Sequence, residues 1–239
     1  MKNILGIKPE KYDTPIYRVM SVDRLIDMME SQENTLVKPE LWDDPFENFI
    51  LNIPVERKNG SPAKSALRNR AYGQCWTKTI ESDAIWRIYA PKNDGVKIKT
   101  TVRKLYLSLK DSQKKYSNTT CFIGAVGYYT REDISKLVSD RLALRDKFKG
   151  SIGQARSLLF KRYAFKYEKE IRLIYLDPNN QSQSPSYTYP CDTLSIVESI
   201  TFDPRMKPSV FNIYKKHIKE FGFTRRIIHS GLYKAPKFE

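Results

Sequence analysis

Hydrophobic and polar positions divide this chain into short strands and amphipathic helices. Ile16-Tyr17-Arg18-Val19-Met20 reads as a strand, and Ser21 caps a helix whose apolar positions Val22, Leu25, Ile26 and Met29 fall at helical spacing. Ser82 caps a second, short helix that carries Ile85, Trp86 and Tyr89 on one side. Asp94-Gly95 then turns into the alternating strand Val96-Lys97-Ile98-Lys99-Thr100. Cys121 to Tyr129 reads as a buried strand. Thr130 with Asp133 starts a helix through Ile134, Leu137, Val138 and Leu142. A further helical stretch runs from Ala155 to Ala164, Leu194 to Phe202 reads as a strand, and a helix from about Pro208 stops at Gly222. Arg225 to His229 is the last predicted strand.

The most organised stretch is Phe165 to Tyr175, where alternation and β-branched or aromatic residues predict a strand. Successive strand side chains point to opposite faces, so Glu168, Glu170 and Arg172 share one face. That row is either a functional site or a solvated face with a weak in-row ion pair. Together the elements predict an α+β fold, a single domain over residues 1–239 with a mixed or antiparallel sheet flanked by helices. Residues 53–73 form a basic loop poor in large apolar groups, and 177–190 a polar loop.

Charge changes this picture more than composition does. A hydrophobic fraction of 40% suits a core that folds without staples, whereas a net charge of +15 implies a surface that attracts polyanions. RNA or DNA is the first such partner, and an acidic protein surface another. Three scattered cysteines, Cys75, Cys121 and Cys191, suit neither a disulfide framework nor a metal knuckle. The start of the chain has no long apolar run and no segment is long enough to span a bilayer, so the expectation is a soluble, cytoplasmic protein without a membrane partner.

The two histidines, His217 and His229, are too few for a His-rich zinc site, and no metal-ligating motif is present. Neither GxxxxGK[ST] nor GxGxxG occurs. Any catalysis therefore falls to carboxylates, arginines and aromatics. Arg18 is the only charge in its strand: such a residue usually sits at an edge or end, and if it faces inward it needs an anion from the protein or from a ligand. Trp86 and Tyr89, beside Arg87, are either core or a surface for a planar ring. Asp43-Asp44-Pro45 makes a turn that Trp42, Phe46 and Phe49 can pack down.

The order of Tyr17-Arg18, Asp44-Pro45-Phe46-Glu47, Cys75-Trp76, Ala84 to Ala90 with Gly95-Val96, Phe165 with Glu168 to Arg172, and Ser230-Gly231-Leu232 resembles the bacterial domain of unknown function numbered 2971 (DUF2971) over about residues 16–235. The chain departs from that pattern in having Asp43 where Asn is common. More distantly, a basic residue on an opening strand, a middle aromatic block and a late Glu-x-Glu look like ADP-ribosyltransferases, which cleave NAD. The resemblance implies NAD as substrate, with Arg18 binding it, Trp86 or Tyr89 stacking on nicotinamide, Glu170 catalytic and Glu168 orienting the acceptor. It also implies a toxin or phage-defence effector that modifies nucleic acid or protein. The Ser-Thr-Ser strand of arginine-type transferases is absent.

Two other readings stand beside it. One is a metal-dependent nuclease using Glu168, Glu170 and an upstream acid such as Asp44 or Glu47, with Lys161 or Lys166 on the phosphate. The other is a non-enzymatic, basic nucleic-acid-binding or regulatory module in which the Glu168–Arg172 row is only structural.

Overall fold

A computed structural model of the chain describes residues 1–42, 44, 55–56, 62–63, 67–113, 117–139, 147–179 and 184–235. The strands are β1 (Ile4–Leu5), β2 (Pro15–Ser21), β3 (Glu33–Val37), β4 (Val55–Glu56), β5 (Pro62–Ala63), β6 (Ala71–Thr77), β7 (Gly95–Thr101), β8 (Cys121–Ala125), β9 (Gly127–Tyr129), β10 (Phe160–Arg162), β11 (Glu170–Leu176), β12 (Ser186–Pro190), β13 (Ser199–Phe202) and β14 (Arg226–His229). Ten of them form one mixed sheet in the order β1-β8-β11-β6-β2-β7-β13-β14, with β3 attached to β6 and β12 to β3. Its pairs are antiparallel except β1 with β8 and β13 with β14. The fold is thus mixed α/β, as the alternating pattern predicts.

Helices cover both faces. In chain order come α1 (Val22–Ser31), α2 (Leu67–Arg70), α3 (Asp83–Tyr89) and α4 (Val102–Gln113), of which α1 and α4 bury Leu25, Met29, Leu105 and Leu109 on one side against Ile16, Ile98, Ile171 and Leu173. After α5 (Ser117–Thr120) and α6 (Arg131–Ser139), α7 (Gly150–Ser157) leads into the opposite cluster of Phe122, Ala155, Leu158, Ile174 and Leu176. α8 (Thr193–Ile196) and α9 (Pro208–Glu220) complete the set among the described residues. Because strand side chains alternate, β11 sends Ile171, Leu173 and Tyr175 to the first cluster and Ile174 and Leu176 to the second. Every residue of β11 is buried, so the Glu170–Arg172 face is no solvated row.

Caps act where the sequence places them. The Ser21 hydroxyl accepts from Arg24 N, and Thr130 and Asp133 exchange bonds as a reciprocal cap of α6. Gly222, at φ 89°, ends α9 in a conformation that favours glycine.

Several expectations are corrected. The strand predicted from Phe165 begins only at Glu170, because Tyr163–Glu168 winds as a 3-10 turn and Lys169 takes φ 46°. That left-handed residue redirects the chain, and Lys78 N bonds its carbonyl while Thr77 Oγ1 donates to the Glu168 carbonyl. Glu168 therefore leaves the strand face that Glu170 and Arg172 share. The helix expected over Ala155–Ala164 ends at Ser157, and Phe160–Arg162 pairs with Gly127–Tyr129. The strand expected from Leu194 starts at Ser199, because Asp192 caps α8 through Ser195 N. Within the polar loop predicted at 177–190, Ser186–Pro190 is strand β12, held by β3. Within the basic loop at 53–73, Leu67–Arg70 is helical and Ala71–Gly73 opens β6. Much of 53–66, together with Asp43, Pro45, Phe46, Glu47, Phe49 and Leu142, lies outside the described residues. Among the described residues no helix is long and apolar enough to cross a membrane.

Candidate active site

The sheet forks between β2 and β6. β2 stays paired with β7 from Pro15↔Thr101 to Ser21↔Gly95, and β6 with β11 from Ala71↔Leu176 to Thr77↔Glu170. β2 and β6 meet only at Tyr17↔Thr77. That row places Tyr17, Thr77 and Glu170 side by side across three strands at the closed end of the fork. A cavity of about 820 Å³ occupies the opening, within the range of small-molecule sites. Arg18, Tyr89, Glu168 and Glu170 all line it, so the structure brings these four sequence-predicted residues together.

Arg18 is half-buried in the wall. Burial lowers its pKa to about 10, Arg24 opposes its charge further, and the neighbouring Cys75 and Tyr189 act the other way. No carboxylate among the described residues pairs with its side chain, in contrast to the buried Arg172. A guanidinium desolvated without a counter-charge is held at an energetic cost unless an anion completes it.

Glu170 lies at the first position of β11, next to the fork, and is 3% exposed. Arg172 donates to it through Nε at 2.8 Å and Nη2 at 3.1 Å, and Lys161 Nζ donates at 3.0 Å. Burial would raise its pKa, but the charge and hydrogen bonds of Arg172, with those of Lys161 and the Cys75 thiol, bring it down to about 2. Glu170 is thus a fixed anion. Lys161 Nζ also donates to Glu168 at 2.5 Å, so one buried ammonium bridges both acids. At Glu168 burial prevails, helped by the charge of Glu170, and its pKa is raised despite Lys161. The two carboxylates are pushed apart in acidity. Tyr89 senses the same cluster: burial and then the charges of Glu168, Cys75 and Glu170 disfavour its phenolate.

Trp86 does not join the site. It is 1% exposed, bonds Glu81 through Nε1 at 3.2 Å, packs beneath the turn at Gly95 and is not among the lining residues. On a helix of this length only part of one side can reach the cavity, and Ile85, Ile88 and Tyr89 do. The aromatic pair predicted on α3 therefore splits into one core ring and one cavity ring.

Three participants escaped sequence reasoning. Trp42 stacks on the Arg172 guanidinium at 4.2 Å, Cys75 bonds Glu170, and Lys161 unites the acids. Lys161 was within reach only as a phosphate-binding helper, since nothing in the pattern pairs β10 with the β11 acids. Asp44 also lines the cavity, but Arg162 engages both its oxygens, at 2.8 and 3.1 Å. Among the described residues no three His, Cys, Asp or Glu side chains stand together to hold a metal ion.

The chain is similar in structure to DarT of Thermus sp. 2.9 in complex with ADP-ribosylated ssDNA, at 12% identity over 95% of this chain and 98% of that one, with a TM-score of 0.43. The complexes of the same protein with carba-NAD+ and with NAD+ match at 12% identity and TM-scores of 0.42 and 0.41, covering 93% and 94% of this chain and 97% and 98% of those chains. No curated protein matches the chain. The family described as Protein of unknown function (DUF2971) matches it at residues 85–173, a stretch that contains Tyr89, Lys161, Glu168, Glu170 and Arg172.

Proposed function

We propose that the cavity binds NAD, breaks the bond between nicotinamide and ribose, and transfers the ADP-ribosyl group to an acceptor. The observation that carries this reading is one concavity lined by an arginine that no carboxylate among the described residues pairs, an aromatic ring and two carboxylates of opposed acidity. Arg18 supplies the charge for an anionic phosphate, and Tyr89, in place of Trp86, a ring for the nicotinamide. Nicotinamide leaves with the electron pair of the glycosidic bond, and positive charge grows at the anomeric carbon. Glu170, ionised throughout the neutral range, stabilises that charge and accepts a hydrogen bond from the ribose. Glu168, whose acidity burial weakens, orients the acceptor and takes its proton as the new bond to the anomeric carbon forms.

Nucleic acid is the acceptor that the net charge of +15 favours. Consumption of NAD harms the cell that hosts it, so the same chemistry suits a toxin or phage-defence effector.

The test is nicotinamide release from NAD by the purified chain, with water, nucleic acid or protein as acceptor. The expected result is release that falls by about 100-fold or more in Glu170→Gln, the scale of one electrostatic contact to a transition state. Arg18→Gln is expected to raise KM for NAD more than it lowers kcat. Absence of release with every acceptor would sink the reading.

A further inference from the structure

We infer that the outer rim of the cavity, built by the 3-10 turn Tyr163–Glu168 and the adjoining Lys78 and Lys169, is a binding strip for single-stranded nucleic acid. This deepens the transfer reading by naming the acceptor and the surface that holds it.

Three observations converge there. First, rings that would ordinarily be buried stand in solvent: Tyr163 is 53% and Tyr167 45% exposed. Second, cations interleave with them. Lys166 and Lys169 flank Tyr167 in solvent, whereas Lys161 is buried on Glu168 and Glu170 and Arg162 holds Asp44. Lys166 lies over the Tyr163 ring at 4.7 Å and bonds its hydroxyl at 3.3 Å, which fixes the ring and leaves its other face to a ligand. The exposed Lys78 and Lys169 join through Lys78 N to the Lys169 carbonyl, at 3.1 Å. Third, the strip is continuous with the chemistry. Tyr167 lines the cavity while remaining 45% exposed, and it directly precedes Glu168 in the chain.

Ring faces between cations fit a strand whose bases are unstacked and whose phosphates run alongside. A duplex hides its base faces inside the stack, so it can use the lysines but not the rings. An acidic peptide likewise satisfies the lysines and leaves the rings without a partner. The strip therefore selects single strands, and a base seated on Tyr167 lies next to Glu168, the group that orients the acceptor.

The test measures fluorescence anisotropy of a labelled single-stranded oligonucleotide titrated with the full chain in the absence of NAD. Duplex of the same sequence and poly-glutamate are the comparison ligands. Expected are tightest binding to the single strand, an affinity that falls as salt rises, and about a tenfold loss for each of Tyr163→Leu and Tyr167→Leu. Both rings are exposed, so unchanged circular dichroism spectra confirm that the variants fold. Equal binding of duplex, stronger binding of poly-glutamate, or Tyr variants that bind as the wild type does would each overturn the strip. No NAD is present, so failure to hold an oligonucleotide and failure to release nicotinamide are separate outcomes.

Discussion

Glu170 keeps its charge because two cations replace the water it lost. Its folded pKa of about 2 lies below its ordinary value of 4.5, so it contributes stability that is fully present above pH 4.5 and is lost as pH falls through about 2. The difference corresponds to roughly 3 kcal/mol. Glu168 has the opposite sign: its folded form favours the proton, so its burial penalty eases as pH falls. Urea unfolding of the wild type is expected to weaken steeply between pH 4.5 and 2, and Glu170→Gln to lack most of that slope. The variant also starts lower, by about 3–5 kcal/mol at neutral pH, because Arg172 stays buried without the Glu170 carboxylate, while Lys161 keeps Glu168. Parallel pH profiles for the two proteins would refute this account of Glu170. Which of Trp86 and Tyr89 reaches the cavity was open in the pattern, since both lie on one side of α3. Only packing against Glu81 and the Gly95 turn separates them.

At the scale of elements, the site depends on how closely β6 lets its cover approach. A Cβ built on Gly73 would lie 2.5 Å from Trp42 Cζ2, so this glycine is what allows the indole to rest on the sheet and, through it, on Arg172. Gly73→Ala must push Trp42 outward. The expected cost is about 1–3 kcal/mol of stability, with a loss of activity that Gly73→Ala shares with Trp42→Ala, and thermal unfolding with nicotinamide release checks both. If the double variant loses the sum of the single losses, the glycine acts independently of Trp42 and this explanation fails. The elements themselves were largely visible in the sequence. Helices α1 and α6 start at their caps Ser21 and Thr130, α3 starts directly after Ser82 although that hydroxyl makes no cap bond, and β7 starts at Gly95. The 3-10 turn before β11 was not, because a period of two over Tyr167–Tyr175 continues unbroken through the left-handed Lys169.

At the scale of the molecule, excess positive charge and a cavity in a forked sheet combine into one expectation about cells. Induced expression of the wild-type chain is expected to lower intracellular NAD and halt growth, and Glu170→Gln to do neither. Growth arrest that persists in Glu170→Gln without a fall in NAD would instead point to the basic surface acting by binding alone.

Local residue order by itself determined the alternation of strands and helices, the α+β class, the charge and the short supply of histidine. Each depends on neighbours within a few positions or on simple counts. Tertiary structure alone decided that β2 and β6 part after one residue pair, that Lys161 sits between two acids, and that Arg18 lines the cavity. Those facts arise from strand pairings between segments about 60 to 105 residues apart, and side-chain periodicity carries no record of which strand lies beside which.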